Sequence, residues 1–133
     1  MSTGVILVTH GQAGSAMLDA AQKVLGGFQQ VRAIGVELSD TAGTVKDKID
    51  SVVHELQVEE VLFLVDLSGS TPFNLCCRSC GGKSIVLTGL NMPMLFKLAT
   101  CDGAFTAREL ADELAQTGHK SIAVRDPGTG GAS

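Results

Sequence analysis

Val5-Ile6-Leu7-Val8, Val61-Leu62-Phe63-Leu64-Val65 and Ile85-Val86-Leu87 are short, unbroken apolar runs. A strand with one wet face alternates apolar and polar residues, so an unbroken run demands cover on both faces. That is the pattern of parallel strands held between two layers of helices. The segments between the runs carry a helical period instead. Val45, Ile49, Val52, Val53 and Leu56 fall at i, i+4, i+7, i+8 and i+11, which gathers them on one stripe of a helix. Strand and helix therefore alternate along the chain, as an α/β fold requires.

The expected strands are residues 4–9, 31–38, 61–66, 84–88 and, last and shortest, 121–124. Ser15 is the expected cap of a first helix running to Leu25, with Gly26-Gly27 as its stop. The periodic segment after a Thr/Gly start gives a second helix, ending before Glu59-Glu60. Thr71-Pro72 opens a third, with Thr71 as cap and Pro72 in the first helical position. A short helix carries Pro93 in its first turn, and Thr106 with Glu109 forms a capping box for a last helix ending at Gly118. These elements predict one domain over residues 1–126 and a flexible tail over 127–133. The expected architecture is a three-layer, open, mostly parallel sheet of flavodoxin-like order 2-1-3-4, with helices on both faces and a short C-terminal edge strand.

In that order the chain reverses direction between the first and third strands, and ligands sit beyond the carboxyl ends of the strands at such a point. His10 ends the first strand and Asp66 ends the third. A carboxylate that accepts one imidazole N–H fixes the tautomer and leaves the other nitrogen as a nucleophile. The stretch Asp66-Leu67-Ser68-Gly69-Ser70-Thr71-Pro72-Phe73-Asn74 then brings small residues and a helix N-terminus to the same edge, where N–H groups and the helix dipole suit an anion. Residues 88–94 bring a second helix start to that edge. A nucleophilic histidine beside anion-binding groups suggests a phosphohistidine, because phosphoryl transfer depends on alignment and charge stabilisation.

Composition narrows the partners. The net charge of -4 over 133 residues argues against nucleic acid or an anionic membrane held by charge. No apolar run reaches membrane-spanning length and no basic signal region opens the chain, so the expectation is a cytoplasmic protein without membrane insertion. Cys77 and Cys80 form a C-x-x-C without a second ligand pair, which reads as packing thiols in a reducing compartment and gives no metal site. No glycine-rich nucleotide motif occurs and no cofactor is expected.

Val8-Thr9-His10-Gly11, residues 63–74 and residues 90–95, in this order and spacing, resemble the enzyme IIA domains of the mannose-type sugar phosphotransferase system. The resemblance runs over nearly the whole chain. It implies a phosphotransferase in which His10 accepts a phosphoryl group from the phosphocarrier protein HPr and passes it to a IIB partner, or serves as a regulatory phosphorylation sensor. It implies that Asp66 bonds the ring nitrogen that is not phosphorylated. It places Thr71 where the family usually has a serine hydroxyl, with Gly69, Ser70, Phe73 and Asn74 around the phosphate. Gly69-Ser70 stands where the family commonly shows two glycines. The resemblance also implies a homodimer, in which the last strand crosses to the partner subunit. Two other readings stay open at this point: a receiver-like signalling domain phosphorylated on Asp66, and a thiol or metal module built on Cys77 and Cys80.

Overall fold

The computed structural model describes residues 2–79, 84–101 and 105–129. Its elements are β1 (Thr3–His10), α1 (Ala13–Leu25), β2 (Val31–Val36), α2 (Ala42–Leu56), β3 (Glu60–Val65), α3 (Thr71–Ser79), β4 (Ser84–Thr88), α4 (Met92–Leu98) and α5 (Ala107–Lys120), followed by a 3-10 turn at Pro127–Thr129. The strands form one sheet in the order β2-β1-β3-β4, and every neighbouring pair is parallel. β1 and β3, the two most continuous apolar runs, are the central strands.

Their side chains divide between two cores, as the two-residue period of a strand dictates. Val5, Leu7, Leu62 and Leu64 pack with Leu18 and Ala21 of α1, Met94, Leu95 and Leu98 of α4, and Leu110, Ala111 and Leu114 of α5. Ile6, Val8, Val61, Phe63 and Val65 pack on the other face with Val45, Ile49 and Leu56 of α2 and with Leu75 and Cys76 of α3. Burying each of the large side chains stabilises the fold by about 1.5 to 3 kcal/mol, so β1 and β3 are anchored from both sides.

Local chemistry sets most helix ends. Thr41 caps α2, and Thr106 and Glu109 form the expected capping box on α5. Asn91 caps α4 ahead of Pro93. Four expectations are corrected. α1 begins at Ala13, ahead of Ser15, because the fully buried Thr9 hydroxyl accepts the Gly14 N–H at 2.8 Å and does the capping from the strand. α3 is capped by Ser70, whose hydroxyl accepts the Phe73 N–H, so Thr71 is the first helical residue. Gly118 does not stop α5. It lies buried in the last turns, where a Cβ would come within 2.6 Å of the Met94 methyl, and its carbonyl accepts from the Asn91 amide. The strand expected at residues 121–124 does not form: Ile122 and Val124 are exposed, and no described strand pairs with them.

Candidate functional site

β1 and β3 run in register from Thr3 opposite Glu60 to Val8 opposite Val65. One residue past β3, Asp66 reaches the end of β1 and meets His10 twice. Its Oδ2 lies 2.9 Å from His10 Nδ1 and accepts the His10 backbone N–H at 3.0 Å. One carboxylate oxygen thus holds both the ring and the main chain of the same residue. The His10 side chain is 55% exposed and that of Asp66 24%, so the histidine faces solvent from a half-buried base. Burial pushes the Asp66 carboxyl up. The hydrogen bonds from the His10 ring and backbone outweigh that push and hold Asp66 below the usual carboxylate value. The second oxygen, Oδ1, is buried and meets no donor among the described residues.

The turn that follows His10 is gripped from the other side by β2. Gly11 adopts φ +51°, and its N–H donates to Val36 C=O at 2.9 Å. Gln12 Nε2 donates to Glu37 Oε1 at 3.0 Å. Asp40 closes the β2–α2 loop by accepting from Lys48 Nζ, the Glu37 N–H and the Thr44 hydroxyl. Lys48, followed by the Glu37 N–H and Thr44, holds the Asp40 carboxyl down at about 2.

Of the residues singled out in the β3–α3 segment, Gly69 takes φ +75°, a left-handed position that strains any residue with a Cβ. Ser70 is occupied as the α3 cap, and its C=O accepts the Asn74 N–H. Pro72 has no N–H and Phe73 gives its own to Ser70, so the α3 terminus has fewer free donors than a bare helix end. Thr71 is exposed, and neither its hydroxyl nor its N–H finds a partner among the described residues. Phe73 is half-buried and Asn74 exposed. The Cys77 side chain and Cys80 lie outside the described residues. Leu90 N–H donates to Val65 C=O at 3.0 Å, which folds the β4–α4 loop over the end of β3.

Thr9, Gln12, Gly35 and Lys48 escaped the sequence reading. A polar residue ending an apolar run and a lone glycine inside a strand were the available signals, since such a glycine often marks a close backbone approach. Gln12 and Lys48 carried none, because their partners are set by tertiary folding.

Among known proteins, residues 4–115 match the family model described as the PTS system fructose IIA component. The chain is 31% identical over 126 residues to the PTS system mannose-specific EIIAB component of Escherichia coli, covering 92% of this chain and 39% of that protein. It therefore spans well under half the length of that relative. It is 24% identical over 123 residues to the PTS system fructose-specific EIIA component of Bacillus subtilis, covering 90% of this chain and 84% of that one. Among solved structures, the mannose/sorbose-specific IIA subunit from Enterococcus faecalis superposes with a TM-score of 0.85 at 26% identity, over 95% of this chain and 96% of that one. The phosphotransferase component EIIA from Streptococcus agalactiae gives a TM-score of 0.83 at 26% identity, over 96% and 98%.

Proposed function

The chain belongs to the mannose/fructose IIA family of the phosphotransferase system, and we propose that His10 is the residue on which it carries a phosphoryl group. The observation that supports this most is the double hold of Asp66 on His10. With the Nδ1 proton donated to Asp66, the lone pair is on Nε2, and no described residue hydrogen-bonds that atom. Nε2 attacks the phosphorus of a phosphohistidine on the donor. The new N–P bond forms as the donor's N–P bond breaks, and the electron pair returns to the donor's imidazole. The phosphorylated ring keeps its Nδ1 proton and so acquires a positive charge as Nε2 bonds phosphorus, and the adjacent carboxylate offsets that charge. The onward step reverses these roles with the acceptor, so no metal or cofactor enters the balance. The exposed hydroxyl and N–H of Thr71, the first residue of α3 after the loop that leaves Asp66, are the donors we assign to the phosphoryl oxygens.

The donor in this reading is phospho-HPr and the acceptor a IIB component, all in the cytoplasm. A regulatory outlet in which the phosphorylation state of His10 is itself sensed uses the same chemistry. No helix among the described residues is long and apolar enough to cross a membrane. A homodimer is part of the proposal: Ile122 and Val124 are exposed apolar residues at the end of the fold, suited to adding a strand to a second copy. Light scattering that shows a monomer at micromolar concentration refutes that part.

The test of the carrier role is incubation with phosphoenolpyruvate, enzyme I and HPr, followed by intact mass. The wild type gains one phosphoryl group through an acid-labile, alkali-stable bond, and His10→Ala gains none. A labelled His10→Ala, or an alkali-labile bond of the kind expected for an acyl phosphate on Asp66, overturns the assignment.

A further inference from the structure

The turn bearing His10 is laid against the end of β2 at a distance only glycine permits. In the parallel register Thr9 stands opposite Gly35 and His10 opposite Val36. A Cβ on Gly35 would lie 2.3 Å from the Gly11 carbonyl oxygen and 3.1 Å from its carbonyl carbon. Both are backbone atoms, so no side-chain rotation relieves the overlap, and the residue that must move is the one after His10. The other side of Gly35 is held as well. Its C=O accepts from Lys48 Nζ at 3.2 Å, and the same ammonium lies 2.8 Å from Asp40 Oδ2, which also accepts the Glu37 N–H at 2.8 Å. Glu37 in turn receives the Gln12 amide. The end of β2 thus acts as a backstop: Gly11 N–H to Val36 and Gln12 to Glu37 pull the turn onto it, and the Lys48–Asp40 pair locks it to α2.

We propose that Gly35, backed by the Lys48–Asp40 pair, is a positioning element that sets the place of the His10 backbone and hence the Nδ1–Asp66 hydrogen bond on which nucleophilicity at Nε2 depends. This rests on the carrier role of His10. Asp66 can hold both the ring and the N–H of His10 with one oxygen only if the backbone enters at one place and angle. Displacing the turn by the roughly 1 Å that a methyl at Gly35 demands breaks one of the two bonds, and misplacement on that scale costs up to about 100-fold in rate.

The experiment compares wild type, Gly35→Ala and Lys48→Met by two readouts: the rate of phosphoryl acceptance from phospho-HPr, and ring nitrogen NMR of His10 in the unphosphorylated protein, which reports which nitrogen carries the proton. Circular dichroism establishes folding. Gly35→Ala is expected to slow acceptance roughly 10- to 100-fold and to lose the Nδ1–H preference of the ring. Lys48→Met is expected to shift both readouts in the same direction by a smaller amount, roughly three- to tenfold in rate. If Gly35→Ala does not fold, Lys48→Met decides. Unchanged rate and ring spectrum in the folded variant overturn the proposal, and so does a slower rate with an unchanged ring spectrum. If the wild type accepts no phosphoryl group, the carrier role fails, while the ring spectra still test positioning on their own.

Discussion

Replacing Asp66 by Asn exchanges one carboxylate oxygen for an amide nitrogen, and the structure specifies what that nitrogen meets. In the wild type Oδ2 accepts two N–H groups of His10, and Oδ1 is buried without a donor. The amide nitrogen of the substituted side chain can take either place. Opposite His10 it sets donor against donor. In the Oδ1 position it becomes a buried N–H without an acceptor, which costs about 1 to 3 kcal/mol of stability. The oxygen then stays on His10, so the fold survives at a lower Tm.

The rate carries a separate cost. In the carrier role proposed for His10 the phosphorylated ring is cationic, and the substitution makes the carboxylate that offsets it neutral. For charges about 4 Å apart at a half-exposed site, with an effective dielectric of about 40, the lost attraction is about 2 kcal/mol. That is roughly 30-fold in rate, and a loosened tautomer preference raises the total to roughly 10²- to 10³-fold. Rapid-quench measurement of acceptance from phospho-HPr gives the rate, and thermal unfolding gives the stability. Acceptance within about threefold of wild type in a folded Asp66→Asn variant refutes the role given to the carboxylate charge.

Thr9→Val keeps shape but removes the acceptor of the Gly14 N–H, leaving the start of α1 with an unmet buried donor. Thermal unfolding should show a loss of about 2 kcal/mol, or roughly 6 to 10 °C in Tm. Thr71→Ala removes an exposed hydroxyl while the adjacent backbone N–H remains, so phosphoryl acceptance should slow only roughly 2- to 10-fold in the same quench assay. The depressed Asp66 carboxyl fixes a sign in acid: its stabilising contribution is complete above the ordinary carboxylate value and is lost as pH falls through the lower folded one. Denaturant titrations should therefore show the stability gap between wild type and Asp66→Asn narrowing below about pH 4.

Much of this protein follows from interactions that span a few residues and are written in neighbouring letters. The unbroken runs at residues 5–8 and 61–65 required two-faced cover, and they became the central strands of a parallel sheet with helices on both sides. Capping chemistry at Asn91 and at Thr106 with Glu109 placed two helix starts. His10 and Asp66 were legible as a pair because each ends such a run, and strand order alone brings those ends together. Local pattern could not choose between Ser70 and Thr71 as the α3 cap, since both have a hydroxyl; the path of the β3–α3 loop decided it. Nor could it place residues 121–124, which pair with no described strand and leave Ile122 and Val124 exposed. The glycines make the same point most sharply. Gly118 reads as a helix stop and Gly35 went unread, yet one accommodates Met94 and the other the backbone of Gly11. Close approach between distant segments is a property of packing, and only the folded chain shows which glycine lacks a side chain because another residue needs that space.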